Sequence, residues 1–215
     1  MAPPPAAEVL RDLQRALEII YGVTAPLDVG GVLVEPVRPG LVEELLVRTA
    51  DDTVEVGLSL GAGVLERLPE LSTDAPASFL GDLLPAFAAA AEGVSHFVYL
   101  TVHALTDRRV SLLELEAQAE VDKFATGVLH LWRHGERSRS AQLRERLFDR
   151  VGYRADLTAE ERERYGQANH LARGYARFLE SRFVVSGYLE GLLGELRQSW
   201  RLPREAKYSW FARHG

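Results

Sequence analysis

The chain has 215 residues, of which 47% are hydrophobic and 26% are charged. This composition is typical of a soluble globular protein with a sizeable core. The sequence contains no cysteine, which excludes disulfides, thiolate metal sites and cysteine nucleophiles. It also fits a reducing compartment, and the Pro-rich start at residues 1–7 lacks the basic and apolar segments of a secretory signal. We therefore expect a cytoplasmic protein.

The net charge of −6 hides a division of the chain. Residues 1–107 carry a net charge of −11, whereas residues 108–215 carry +5. Such asymmetry favours docking of the two halves on each other, or binding of the basic half to an anionic partner such as nucleic acid. Because acids are interleaved with the bases of the second half, docking is the preferred interpretation.

The first part of the chain alternates between helical and strand patterns. Apolar spacing predicts an amphipathic helix over residues 7–21, which Gly22 ends. Three runs rich in Val and Leu follow, at residues 27–35, 43–49 and 53–60. Their pattern predicts a three-stranded antiparallel meander, with a tight turn at residues 50–52 and a bulge or flexible strand entry at Gly30 and Gly31.

The second part of the chain is predicted to be helical. Residues 72–78 are rich in Ser, Thr, Asp and Pro and predict a linker. Helices are predicted at residues 83–105, 111–134, 141–151 and 159–200. Their predicted N-terminal caps are Ser78 or Asp82, Ser111 with Glu114, Ser140, and Thr158 with Glu161. The predicted fold class is α+β: an N-terminal helix and three-stranded antiparallel sheet (1–71), then a bundle of four to five helices (72–215), forming one compact unit.

A polar stripe interrupts the most apolar of these helices. Glu92, His96, Tyr99, His103 and Asp107 recur at spacings of four, three, four and four residues, so they share one side of the helix. The helix has the length of a membrane span, but Pro85 and the polar stripe favour a buried core helix, and no membrane is expected. Buried polar groups need partners, so the stripe should face another element, a ligand or a water-filled groove.

The short turn at residues 106–110 predicts an antiparallel helical hairpin that brings Glu116, Glu120 and Lys123 close to the stripe. Glu120 is expected to be nearly buried and to contact His96, Tyr99, Lys123 or an arginine. The ligand types of His96, His103, Glu116 and Glu120 suit zinc, manganese or iron. Dinuclear bundles repeat Glu-x-x-His on two helices, whereas this chain has Glu92-x-x-x-His96 once. A structural polar network is therefore favoured, and no cofactor is expected.

Arg133-His134-Gly135-Glu136 resembles the signature of the histidine phosphatases, in which the histidine is the phosphorylated nucleophile. In that family the signature follows a strand at the start of an α/β fold. Here it follows a helical pattern, with Gly135 at the helix stop. We therefore expect His134 at a helix end, outside any phosphate pocket.

The C-terminal segment interleaves cations with aromatic rings. Its candidate partner-binding residues are Trp200, Arg204, Lys207, Tyr208, Trp210 and Phe211. We expect this segment to be ordered and to bury at least one of Trp200, Trp210 and Phe211. The leading interpretation is a non-catalytic protein that binds a protein partner or self-associates, through this tail. The alternatives are a metal- or ligand-binding bundle enzyme centred on the histidines, and nucleic-acid binding by the arginine-rich second half, including residues 133–154.

Overall fold

The computed structural model describes residues 5–36, 40, 42–50, 53–72, 76–149 and 157–214. The chain divides into two compact units. Unit 1 contains Met1–Glu18 and Val23–Asp107, and unit 2 contains Ile19–Gly22 and Arg108–Gly215. The division after Asp107 coincides with the change in net charge, so unit 1 carries −11 and unit 2 carries +5. Residue 71, where the sequence suggested a boundary, lies inside unit 1.

The predicted N-terminal helix is confirmed as α1 (Ala6–Tyr21). Val9, Leu17 and Ile20 are buried along one face, as the apolar spacing requires. The helix ends at Gly22, whose φ of 63° lies in the left-handed region that glycine adopts without strain.

Unit 1 contains a small mixed sheet. Its strands are β1 (Leu33–Val34), β2 (Glu43–Ala50) and β3 (Thr53–Leu60), in the spatial order β1-β3-β2. The antiparallel pairing of β2 with β3 confirms the prediction for those two strands. β1 instead runs parallel to β3, so the expectation of a purely antiparallel sheet is wrong. Residues 51 and 52 of the predicted turn lie outside the described residues.

The first Val- and Leu-rich run, residues 27–35, is mostly not a strand, because a side chain of α1 forms hydrogen bonds with its backbone. The Gln14 side chain accepts from the Val29 N–H at 2.8 Å and donates to the Leu27 carbonyl at 2.9 Å. Asp28 caps the 3-10 turn Val29–Gly31, so a turn occupies the position of the expected bulge. Backbone groups that are bonded in this way cannot also bond to a neighbouring strand, so only two residues form β1.

The remaining helices of unit 1 are α2 (Ala62–Arg67), α3 (Pro76–Phe79) and α4 (Leu84–Ala104), with a 3-10 turn at Leu68–Ser72. Residues 73–75 of the predicted linker lie outside the described residues. The expected caps Ser78 and Asp82 are wrong, because Leu83 precedes the first turn of α4 without a side-chain cap. Pro85 lies in that first turn, as predicted.

Helix α4 packs against one face of the sheet through a glycine. A Cβ atom added to Gly93 would lie 2.7 Å from the Leu58 Cδ1 atom and 3.0 Å from the Glu43 Cγ atom. Leu58 and Leu60 are buried on this face. The absence of a side chain at Gly93 therefore sets the close approach of α4 to β2 and β3.

The regular elements that the structure describes in unit 2 are all helices. Its helices are α5 (Leu112–Arg133), α6 (Ser140–Phe148), α7 (Ala159–Leu179), α8 (Leu189–Trp200) and α9 (Arg204–Ala212). The helices described after residue 72 outnumber the four or five predicted, for two reasons. The long helical region breaks after a π-helical segment at Glu180–Val184, where Gly187 has a φ of 77°. The C-terminal segment also forms a helix of its own.

The predicted helix caps of unit 2 are correct at two of three positions. Ser111 Oγ accepts from the Glu114 N–H at 3.2 Å, and Thr158 with Glu161 forms the expected capping box. Ser140 is not a cap, because it is the first residue of α6 and its hydroxyl donates to Glu180 Oε1 at 2.8 Å. Among the helices of the described residues, none combines the length and apolar character needed to cross a membrane.

Candidate functional site

The polar stripe of α4 lies largely in the interior of the protein. His96, Tyr99 and His103 are buried, and Glu92 is half-buried. The prediction is wrong for Asp107, which is exposed and lies beyond the end of α4 with a φ of 51°. His96 Nδ1 lies 3.4 Å from Glu43 Oε1, and the Tyr99 and His103 rings pack edge to face with centroids 4.3 Å apart. The expectation that the stripe faces another element therefore holds within unit 1, where it meets β2.

The residues proposed as metal ligands belong to two different units. His96 and His103 are in unit 1, whereas Glu116 and Glu120 are in unit 2. Within unit 2, the Glu116 carboxylate lies 4.0 Å from Arg164 Nε. Metal binding by these four residues stays a prediction.

Glu120 has the partner that the sequence suggested. Its Oε1 accepts from Lys123 Nζ at 2.9 Å, and its side chain is 15% exposed. The prediction that Glu120 is nearly buried and contacts Lys123 is confirmed. An ion pair between residues three positions apart on one helix stabilises α5.

A second polar group, in the interior of unit 2, was not predicted from the sequence. We call it the Lys207 cluster, and its members are Tyr21, Gln118, Asp122 and Lys207. None of these residues is more than 1% exposed. Gln118 Nε2 donates to the Tyr21 hydroxyl at 3.0 Å and to Asp122 Oδ1 at 2.9 Å, and Gln118 Oε1 accepts from Lys207 Nζ at 2.9 Å. The Tyr21 hydroxyl also donates to Asp122.

The surroundings of the Lys207 cluster perturb its titration. Burial lowers the pKa of Lys207 to about 7, and Arg108 acts in the same direction, while the carboxylates of Glu114 and Asp122 oppose the shift. Burial, with the neighbouring carboxylate of Asp122, raises the pKa of Tyr21 well above its usual range. The Trp200 ring stacks on Tyr21 with centroids 4.1 Å apart, and Lys207 Nζ lies 5.7 Å from the Trp200 ring centroid.

Perturbed titratable groups often mark catalytic sites, but such sites must admit a substrate. Among the described residues, Lys207, Asp122 and Glu114 have no exposed surface. The Lys207 cluster is closed and internally hydrogen-bonded, which is the arrangement of a network that fixes how helices pack. Two sequence signals could have indicated it: Lys123 and Lys207 are the only lysines of the chain, and Gln118 and Asp122 lie one turn apart on a helix with an apolar face.

The C-terminal segment is part of the core of unit 2. Trp200 and Phe211 are 2% and 0% exposed, which confirms that the segment is ordered and buries aromatic rings. Phe211 stacks on Tyr175 with centroids 4.5 Å apart. Of the candidate partner-binding residues, Trp200, Lys207 and Phe211 are therefore enclosed, whereas Arg204, Tyr208 and Trp210 keep accessible surface.

A buried ion pair also links α6 to the π-helical segment. Glu180, 6% exposed, accepts from Ser140 Oγ at 2.8 Å and from Arg144 Nε at 2.6 Å. Sequence patterns missed this contact, because residues 36 and 40 positions apart give no periodic signal.

The phosphatase-like segment occupies a helix end. Helix α5 ends at Arg133, His134 follows as its C-terminal cap, and Gly135 has a φ of 73°. The prediction that His134 lies at a helix end is confirmed. The four residues serve to stop the helix.

One open groove of 540 Å³ runs along α7. It is lined by Glu163, Gly166, Gln167, His170 and Leu171. It includes none of the candidate residues named from the sequence.

Among the described residues, the outer edge of β2 is the longest strand edge that has no neighbouring strand. β3 lies between β1 and β2, so β2 pairs on one side only. The Gly61 N–H bonds to the Val42 carbonyl, and the Leu58 N–H bonds to the Val32 carbonyl on the β1 side. Because antiparallel ladders alternate, the even-numbered residues of β2 bond to β3, while Leu45, Val47 and Thr49 direct their N–H and C=O groups outward.

The end of the β2–β3 hairpin presents apolar side chains to solvent. Val47 and Val54 are 52% and 57% exposed, on the sheet face whose other end is buried at Leu58. Helix α4 therefore covers only part of that face.

Comparisons of the chain with protein-family models, with curated proteins and with solved structures found no match. The function must therefore be inferred from the geometry of the two units.

Proposed function

We propose that the chain is a non-catalytic protein-interaction protein that binds its partner by strand addition at the outer edge of β2. The observation that supports this proposal is the row of outward-directed backbone groups at Leu45, Val47 and Thr49. An open strand edge is a template for pairing with another chain, and soluble proteins usually shorten, charge or cover such edges. Proteins that recognise extended segments use the same groups for main-chain hydrogen bonds.

Two features distinguish β2 from an edge protected against pairing. The strand has eight residues, and its register with β3 is continuous, without a bulge. The exposed side chain of Val47 gives an added strand an apolar contact beside the hydrogen bonds. By contrast, the titratable groups of the Lys207 cluster are enclosed, which favours binding over catalysis. We retain the cytoplasm as the proposed location, because the chain has no cysteine.

A matched pair of proline substitutions tests the geometry of the edge. Val47→Pro removes an N–H that points outward, so the β2–β3 ladder and the melting temperature should be nearly unchanged. Leu46→Pro removes an N–H that bonds to β3 and should lower the melting temperature by several degrees. Equal destabilisation by the two substitutions would show that Val47 N–H already has a partner within the chain.

Hydrogen exchange of dilute protein tests whether the edge is open. The amides of Leu45 and Val47 should exchange faster than those of Leu46 and Arg48, because only the latter are in a ladder. If all four amides are equally protected in a monomer, another part of the chain covers the edge and the proposed function is wrong.

A further inference from the structure

The turn between the π-helical segment and α8 presents apolar side chains to solvent. It spans residues 185–189, the last of which begins α8, and we call it the 185–189 turn. Val185, Tyr188 and Leu189 are 67%, 56% and 36% exposed. They lie within five consecutive residues, none of which is buried. A group of exposed apolar side chains of this kind marks a surface that contacts another molecule.

The backbone of the 185–189 turn forms hydrogen bonds within the chain. The N–H groups of Val185, Gly187 and Tyr188 donate to main-chain carbonyls of the π-helical segment over 2.9 to 3.1 Å. Arg137 Nη1 donates to one of the same carbonyls, that of Val184, at 3.0 Å. Polar groups that are bonded internally lose little when water is withdrawn from them. The turn can therefore enter a medium that is poor in water.

The conformation of the turn is fixed by Gly187 and Arg137. Gly187 has a φ of 77°, which glycine adopts without strain. A Cβ atom added at this position would overlap the Arg137 guanidinium, which lies directly against the glycine backbone. Because the turn is held in one conformation, little conformational entropy is lost when it binds.

The size of the apolar patch favours a lipid surface over a protein partner. A stable protein–protein interface buries about 800 Å² on each partner, from roughly 20–30 residues. The 185–189 turn supplies three large apolar side chains. A bilayer needs no complementary patch, because apolar side chains enter the boundary between headgroups and acyl chains, and tyrosine is enriched at that depth.

The charge of unit 2 favours lipids with anionic headgroups. Unit 2 carries a net charge of +5. Arg182 is exposed one helical turn before Ser186, whose hydroxyl donates to the Arg182 carbonyl at 3.3 Å. Cations close to a membrane surface are attracted by anionic lipids, whereas Glu190, also exposed, opposes this attraction. We propose that the 185–189 turn inserts its apolar side chains into the surface of a membrane that contains anionic phospholipid.

The contact lies at the membrane surface and involves no spanning helix. The expectation of no membrane came from the residues of α4, which bear only on a span. An exposed apolar turn is enough for a surface contact, and helical periodicity does not reveal one. The contact is also separate from the proposed strand addition, because the turn is in unit 2 and β2 is in unit 1.

Binding to lipid vesicles tests the inserted turn. The full chain is centrifuged with vesicles of equal parts phosphatidylcholine and phosphatidylserine, and the bound fraction is measured over a lipid series. The wild type should bind. Val185→Asp should weaken binding by about tenfold or more, because a carboxylate replaces an apolar group at the inserted position. Arg182→Glu should weaken binding to these vesicles more than binding to vesicles of phosphatidylcholine alone.

Leu112→Asp is the matched control. Leu112 is 59% exposed on α5, so the variant also places an acid at an exposed apolar position of unit 2, away from the turn. It should bind the vesicles as the wild type does. Tyr188→Trp locates the contact, because its fluorescence should be quenched by brominated lipid more strongly than that of the wild type. Melting followed by circular dichroism checks that each variant is folded.

Three results would overturn the membrane contact. The first is a wild type that does not bind the vesicles, and the second is equal weakening by Val185→Asp and Leu112→Asp. The third is a lower sedimentation mass of lipid-free Val185→Asp than of the wild type, which would assign the turn to a second copy of the chain. Amide exchange at Leu45 and Val47 is unaffected by any of these results, so the β2 edge is tested separately.

Discussion

Lys207 should make the stability of unit 2 depend on pH in a predictable direction. Its side chain has no exposed surface, and burial lowers its pKa from the ordinary 10.5 to about 7. Between these two values the unfolded chain binds one proton more than the folded chain at this position. The free energy of unfolding therefore rises with pH across that window, and the cost of burying the ammonium is fully present below pH 7.

The size of the effect follows from the two pKa values. One proton of difference corresponds to at most about 1.4 kcal/mol per pH unit. Between pH 7 and pH 9 the contribution of Lys207 should therefore reach about 2 kcal/mol, because the lysine is partly neutral already at the lower pH. The range above pH 9 is avoided, since tyrosines of the unfolded chain begin to ionise and the pKa of Tyr21 is raised in the folded state.

The assay compares the wild type with Lys207→Met, which keeps the length of the side chain and removes its titration. Urea unfolding followed by tryptophan fluorescence reports on unit 2, because Trp132, Trp200 and Trp210, the only tryptophans of the chain, all lie in it. The wild type should gain about 2 kcal/mol more than the variant between pH 7 and pH 9. Parallel pH profiles for the two proteins would show that Lys207 titrates normally, and the burial argument would be wrong.

Three further predictions concern packing. Phe211→Ala should destabilise unit 2 by about 3–5 kcal/mol in urea unfolding, and an unchanged midpoint would mean that α9 is not part of the core. Glu180→Ala leaves Arg144 without its buried partner and should cost about 3 kcal/mol, whereas Glu190→Ala, on an exposed position of α8, serves as the control. Gly93→Val should lower the melting temperature followed by circular dichroism, because its Cβ would overlap Leu58, while Gly63→Val has open space and should change it little.

Local patterns in the sequence were sufficient for some of the regular elements. The spacing of Val9, Leu17 and Ile20 predicted α1, and the alternation around Val54 and Val56 predicted β3, because each pattern reflects the period of one element. Thr158 and Glu161 likewise predicted the start of α7, since a capping box involves neighbouring residues only.

Long-range contacts account for what the sequence did not indicate. The strand predicted over residues 27–35 is short because Gln14, on a different element, bonds to Val29 and Leu27. The basic aromatic tail forms a helix of the core because the Phe211 ring stacks on the Tyr175 ring, which is far away in the sequence. A periodic pattern contains no information about either contact.

The candidate site was also predictable from the sequence only in part. Residue types and helical spacing were enough to predict that the stripe on α4 would need a partner, and that Glu120 would contact one of a few nearby groups, among them Lys123. They did not indicate that the stripe meets Glu43, or that the outer side of β2 would be open. An edge strand and a central strand can have the same alternation, so the open edge appears only once the order β1-β3-β2 is known.

The exchange rate of the Val47 amide in dilute protein tests the role of the β2 edge most directly. The rate should be fast, because the Val47 N–H points away from β3. The Leu46 amide, which bonds to β3, should be protected. A Val47 amide that is already protected in the dilute monomer, to the same extent as Leu46, would contradict the open edge and with it the proposed interaction.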